Sequence, residues 1–233
     1  MTVSLAQDSS VAVIGLDDGK ANAITLDVLA GIDGGLAKAR ENGASAVLLT
    51  GRPGRFSAGF DLSVMTAGEQ QMRELVTNGA ELLMRIFTYP MPVICACTGH
   101  ALAMGSLLLL AADVRVGAAG DFKIGLNEVA IGMGLPVFAI ELARYRLTST
   151  GFNAALLGEV FGPDDAARAG YLDRVVPADA VIEEASATAH RLAELRTGAV
   201  AHSKQHARSA LAAMVLTTLQ ADMASLSGPN PRA

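Results

Sequence analysis

Charge is scarce in this chain of 233 residues. Only 18% of positions carry Asp, Glu, Lys or Arg, against 51% hydrophobic ones, and 23 acidic with 18 basic residues give a net charge of -5. So little charge excludes a solvated linker, and the apolar content is enough to bury a large core as one domain, with room for a small appendage. No dense run of lysine and arginine is present, which excludes a nucleic-acid or anionic-membrane surface, where a basic patch is needed. The expected partner is a small molecule or another copy of the chain. Cysteine is nearly absent. Cys95 and Cys97 stand two apart in a strand-like stretch, so their side chains emerge on one face, a poor arrangement for a bridge. They read as buried thiols in a reducing compartment, the cytoplasm. The start of the chain has neither a basic cluster nor an apolar run, so no secretory signal is expected, and no period of 20 to 50 residues repeats.

Long hydrophobic runs are limited to one. Residues 92–112 carry no formal charge over 21 positions, long enough to span a bilayer as a helix. Pro92, Thr98, Gly99, His100 and Gly105 interrupt it and 93–97 is strand-like, so a buried strand, a turn and a buried helix are the better reading, with a membrane anchor as the alternative.

The rest of the chain alternates in the same way. Strands are expected at 11–16, 46–49, 93–97 and 114–116, with 122–124 before Asn127-Glu128. The helices alternating with them are expected at 26–40, 67–88 and 104–112. After residue 135 helices dominate (137–146, 151–157, 164–169), with one more strand at 174–176. Alanine-rich helices follow at 180–195 and 198–225 and are a plausible subunit contact. Residues 228–232 are expected to fray.

Three stretches carry candidate chemistry. In Phe56-Ser57-Ala58-Gly59-Phe60-Asp61-Leu62, Gly59 lets backbone approach a ligand closely and leaves the Ala58 N-H free to donate; Asp61 reads as a cap. In Gly99-His100-Ala101-Leu102-Ala103-Met104-Gly105, a helix starting near Met104 offers N-terminal N-H groups beside a strand end. His100 and Ser106 lack the Gly-x-Ser-x-Gly setting of a hydrolase, and His100 reads as a hydrogen-bonded turn residue. In residues 125–133, Glu128 is a lone acid among apolar residues, whose poor solvation raises its proton affinity as a general base requires.

Together these elements resemble the crotonase (enoyl-CoA hydratase/isomerase) superfamily. The likeness rests on Lys20-Ala21-Asn22-Ala23-Ile24, Phe56-Ser57-Ala58-Gly59-Phe60-Asp61-Leu62, Met91-Pro92-Val93 followed by a Gly-x-Ala-x-x-x-Gly turn, and Glu128, in that order over nearly the whole chain. It implies an α/β fold, a spiral of strand-strand-helix (ββα) repeats with a C-terminal helical region. The core is then residues 1–195, and 196–233 pack between subunits as a homotrimer or a dimer of trimers. The chain ends earlier than typical relatives, which bears on those trailing helices.

The resemblance also implies an oxyanion hole made by the N-H groups of Ala58 and Met104, gripping a thioester carbonyl. Coenzyme A enters as part of the substrate, not as a separate cofactor, and no metal is expected. Lys20, Asn22, Ala23, Ile24, Ala58, Gly59, Phe60, Asp61 and Leu62 would line its groove, with Lys20, Arg52 or Arg55 available to its phosphates. Hydratases of the family use two glutamates, and the first of those positions is Leu107 here. Loss of one acid-base group weakens water addition by roughly 10² to 10⁴, whereas a double-bond shift needs a single base. The expected activity is therefore 3-enoyl-CoA to 2-enoyl-CoA isomerisation with Glu128 as proton shuttle. An enoyl-CoA hydratase and a non-catalytic acyl-CoA-binding subunit are the alternatives. Leu107 and Leu108 would dry the pocket, and Glu74 or Glu81 could supply a second acid.

Overall fold

The computed structural model describes residues 2–228, so the tail expected to fray lies outside the described residues from 229 onward. A six-stranded sheet runs in the order β1 (Val3–Asp8), β2 (Val11–Leu16), β4 (Ala46–Thr50), β7 (Val93–Cys97), β9 (Val114–Ala118), β12 (Arg174–Val176). Apart from the antiparallel β1–β2 hairpin, neighbouring strands are parallel. A second sheet has the order β11 (Val160–Phe161), β10 (Ile124–Gly125), β8 (Gly99–Leu102), β5 (Gly54–Ser57), and β3 (Ala23–Ile24) pairs with β6 (Gly59–Phe60). Each turn of the spiral leaves the large sheet, makes a short strand of a smaller one, and returns through a helix.

The uninterrupted apolar character of β4 and β7 follows from burial on both faces. Val47, Leu49, Val93, Cys95 and Cys97 enter the main core, while Ala46, Leu48, Ile94 and Ala96 face a smaller core closed by α8 (Val181–Ala193). Both cysteines are therefore free, buried thiols on one face; desolvation pushes both thiols up, Cys97 to about 12. The main core packs against α1 (Leu26–Glu41), whose Thr25 hydroxyl accepts the Val28 N-H at 3.3 Å, and against α3 (Glu69–Phe87) and α4 (Met104–Ala111). The uncharged stretch 92–112 resolves into β7, β8 and α4, and no helix among the described residues is long and apolar enough to cross a membrane.

After β10 come α5 (Val137–Arg146), α6 (Ser149–Leu156), α7 (Pro163–Ala169) and, after α8, α9 (Thr197–Ser225). The last of these does not form a core of its own. Ala212, Val215, Leu219 and Met223 of α9 join the main core, and Asp222 accepts the Val137 N-H at 2.8 Å to cap α5. Farther up α9, Lys204 (2.6 Å) and Arg208 (2.7 Å) converge on the half-buried Asp113. Three features depart from the sequence reading. Residues 3–8 form an edge strand, the short strands β3, β5, β6 and β8 replace expected turns, and an unexpected short helix stands before the helix expected over 67–88, which is continuous as α3. That short helix, α2 (Leu62–Met65), is separated from α3 by residues 66–68.

Candidate active site

The β3–β6 pairing brings the first two candidate stretches together. Asn22, at φ +54°, is buried. Its amide donates to the carbonyls of Leu16 (2.9 Å), Arg55 (3.1 Å) and Phe56 (3.1 Å), and the Ser57 hydroxyl donates to the Asn22 carbonyl at 2.7 Å. This residue clamps two loops together, and its side chain, whose Oδ1 accepts the Asp18 N-H at 3.0 Å, is fully engaged. Ile24 is also buried, so of the 20–24 segment only Lys20, Ala21 and Ala23 keep exposed or half-exposed surface. Asp61 caps α2 by accepting the Ser63 N-H at 2.8 Å, and the Ser63 hydroxyl holds its carboxyl below the ordinary range. Arg52 is occupied by the Lys20 carbonyl (2.7 Å) and Asp17 (3.4 Å), whereas Arg55 is exposed.

Gly59, at φ +94°, lies against the turn into α4: a Cβ there would sit 2.9 Å from the Leu102 carbonyl oxygen and 3.3 Å from the Met104 nitrogen. This close approach requires glycine. Ala103 precedes the helix at φ +48° and ψ -120°, a conformation costly for a residue with a Cβ, and Met104 is the first helical residue. Its N-H has no acceptor within the helix, because the first intrahelical bond is from Leu107 N-H to the Ala103 carbonyl (3.0 Å).

The partner N-H is not the expected one. Ala58 N-H donates to the Ala21 carbonyl at 3.0 Å, because the pairing of the two loops extends back before β3 and β6. It is therefore engaged, although Ala58 itself lines the cavity described below. Asp61 N-H donates to the Ile24 carbonyl at 3.0 Å, and successive residues of a strand turn their N-H groups to opposite edges. The Phe60 N-H therefore points away from β3, toward the side where α4 begins. The Phe60 N-H, in place of the engaged Ala58 N-H, is therefore the candidate donor to set beside that of Met104.

One cavity of about 130 Å³ joins these groups to the third stretch: Ala58, Phe60 and Ala103 line it together with Asn127 and Glu128. Every other side chain in its wall is apolar, including Leu107 of α4, Val76 of α3 and Phe138 of α5. Leu108 is buried elsewhere in the core. Glu128 opens a 3-10 turn (Val129–Ile131), is only 8% exposed, and its Oε2 has no hydrogen-bond partner. Desolvation raises its carboxyl to about 7, partly offset by its own main-chain N-H. The neighbouring Asn127 Oδ1 is likewise buried without a partner. Tyr171, fully buried behind this turn, has its phenol pushed up by burial.

Glu74 and Glu81 do not reach the cavity. Val76 occupies the inward side of α3, and the two glutamates stand on the opposite, exposed side in a hollow shared with Asp33 and Arg85. His100 and Ser106 are held apart by main chain: His100 Nδ1 accepts the Lys123 N-H at 3.0 Å, and Ser106 Oγ donates to the Ala101 carbonyl at 2.7 Å while accepting the Gly125 N-H at 2.9 Å.

The family model for enoyl-CoA hydratase/isomerase matches residues 6–229. The chain belongs to that family. It is 33% identical to a probable enoyl-CoA hydratase of Bacillus subtilis over 82% of this chain and 76% of the relative. It is 35% identical to the mitochondrial enoyl-CoA delta isomerase 1 of Mus musculus over 76% of this chain and 63% of the relative. Among solved structures, an enoyl-CoA hydratase/isomerase family protein from Pseudomonas syringae superposes with a TM-score of 0.94 at 40% identity, covering 97% and 98% of the two chains. The human mitochondrial delta3-delta2-enoyl-CoA isomerase superposes with a TM-score of 0.91 at 27% identity, covering 96% and 90%. Both activities occur among the names of these relatives, so membership fixes the crotonase fold and leaves the choice of reaction to the cavity itself.

The buried acid has a consequence for stability. A carboxyl whose folded value lies near 7, above its ordinary 4.5, binds its proton more tightly in the folded state. Stability is therefore fully present below about 4.5 and is lost as the pH rises toward 7 and above. Relative to wild type, Glu128→Gln is expected to gain up to about 3 kcal/mol between pH 4.5 and 8. Urea melts of both proteins at the two pH values measure this, and a difference independent of pH would mean that the acid is solvated.

Proposed function

We propose that the protein is a 3-enoyl-CoA to 2-enoyl-CoA isomerase in which Glu128 is the only proton shuttle. The observation that carries the reading is that Glu128 is the one titratable side chain among the described residues that line the cavity, with Leu107 where a second acid would stand. The Glu128 carboxylate takes a proton from C2 of a 3-enoyl thioester. The electron pair moves into the thioester carbonyl, and the resulting dienolate oxygen receives hydrogen bonds from the Phe60 and Met104 N-H groups. Protonated Glu128 then returns the proton at C4, leaving the double bond between C2 and C3. No atom is gained or lost overall, so no cofactor is needed. Apolar walls keep water from the dienolate and strengthen the two N-H donors. Adding water instead would require Glu128 both to activate the nucleophile and to supply a proton, with no partner to share the task.

The test is to incubate purified protein with 3-hexenoyl-CoA and with 2-hexenoyl-CoA. The expected results are conversion of the first and hydration of the second at least about 100-fold slower, the lower end of what one acid-base group contributes. Faster hydration would make the protein a hydratase, and binding without turnover of either would make it an acyl-CoA-binding subunit. Because the base must be ionised, kcat/KM should rise with pH on a single limb centred near 7, the value burial gives Glu128 in the free protein. A limb near the ordinary glutamate range would place the base in water instead.

A further inference from the structure

The reaction cavity shares one wall residue with a second hollow. Met65, the last residue of α2 and only 5% exposed, lines the cavity of about 130 Å³ and also a hollow of about 290 Å³ whose other walls are Thr66, Gly68, Glu69, Met72 and Gly228. Among the described residues it is the one that lines both. Thr66, Gly68 and Glu69 are exposed, so the second hollow reaches the surface. Asp61 holds Met65 in place: it caps α2, and the Met65 N-H donates to the Asp61 carbonyl at 3.0 Å. A cavity near 150 Å³ accommodates a benzene-sized guest, so the closed side holds about six carbons, the reacting ones included. A methionine is an unbranched partition that can be shortened without introducing polarity.

We propose that Met65 sets the acyl chain length this protein accepts, by closing the reaction cavity against the hollow beyond it. The inference rests on reading the cavity as an acyl pocket. It predicts a preference for thioesters of about six carbons, and a continuous channel to the surface once the side chain is removed.

The experiment measures Kd for saturated acyl-CoAs from butyryl to dodecanoyl, which bind without reacting, on wild type, Met65→Ala and Met65→Val. Each methylene that finds apolar room should tighten binding about fourfold. In wild type the gain should stop near six carbons. In Met65→Ala it should continue through twelve carbons, the longest tested, because the added hollow of about 290 Å³ is roughly twice the first, and Met65→Val should fall between. Kinetically, the ratio of dodecenoyl to hexenoyl turnover should rise at least tenfold in Met65→Ala. A wild-type series that keeps tightening through twelve carbons, or a break unmoved in whichever variant folds, overturns the proposal; so does failure of every acyl-CoA to bind. If the break moves but no double-bond shift is catalysed, the isomerase reading fails and the role of Met65 stands.

Discussion

Replacing Glu128 with glutamine should lower kcat on a 3-enoyl thioester by about 10⁴, the upper end of what a positioned acid or base contributes, while KM moves by no more than a few-fold. The amide keeps the volume of the carboxyl, so the apolar wall formed with Leu107, Val76 and Phe138 is not opened. In the proposed mechanism the thioester is gripped by main-chain donors on β6 and α4, which the substitution does not touch. What disappears is, among the described residues, the one titratable side chain of the cavity, the group proposed to hold the proton between its departure from C2 and its return at C4. Asn127 lies beside it but has no basic atom of comparable strength. Exchange of the C2 proton with solvent deuterium in a bound, unreactive acyl-CoA should fall in parallel with turnover. Retention of more than a tenth of either would place the base elsewhere. The pH limb near 7 should vanish from the residual rate as well, since the group producing it is gone.

The large elements were legible because their signals are local. Apolar spacing set α1, alanine richness set α9, continuous apolar runs set β4 and β7, and a lone acid between Leu126 and Val129 marked Glu128. The short strands β3, β5, β6 and β8 were not legible, because two to four residues carry no period. β3 and β6 exist only through pairing across some 35 positions of chain, and β5 through pairing with β8 across about 45. The same reason explains why Ala58 was assigned as a donor in place of Phe60. Gly59 announces a close backbone approach, but which neighbouring N-H faces the helix depends on strand register, which is fixed by Asp61 meeting Ile24. β1 was missed because five of its six residues are exposed and lack alternation. Met65 gave no signal at all. An apolar residue becomes a partition only when an adjacent cap turns it between two spaces.

Gly59→Ala should lower kcat by about 10² to 10³, the loss typical when one oxyanion donor is removed, with a smaller effect on KM. The new Cβ would be 2.9 Å from both the Leu102 carbonyl oxygen and the Ala103 Cβ, and these atoms belong to the rigid entry of α4, so the backbone of β6 or of the turn must move. Either movement separates the Phe60 and Met104 N-H groups, and a carbonyl held by one donor gains little when charge develops on it. The φ of +94° adds strain of its own, about 1 to 3 kcal/mol of stability. That strain must be told apart from the lost geometry. Gly43 serves as the control: it sits at φ +70° after α1, with open space where a Cβ would go, remote from the cavity. Gly43→Ala should share the loss of stability and keep kcat within twofold of wild type. If the two variants lose activity equally at matched folded fractions, strain alone accounts for the loss and the paired donors are not what the glycine protects. If Gly59→Ala alone collapses in kcat while still binding saturated acyl-CoA, the glycine serves the dienolate and not the ground-state thioester, which is the difference that separates catalysis from binding.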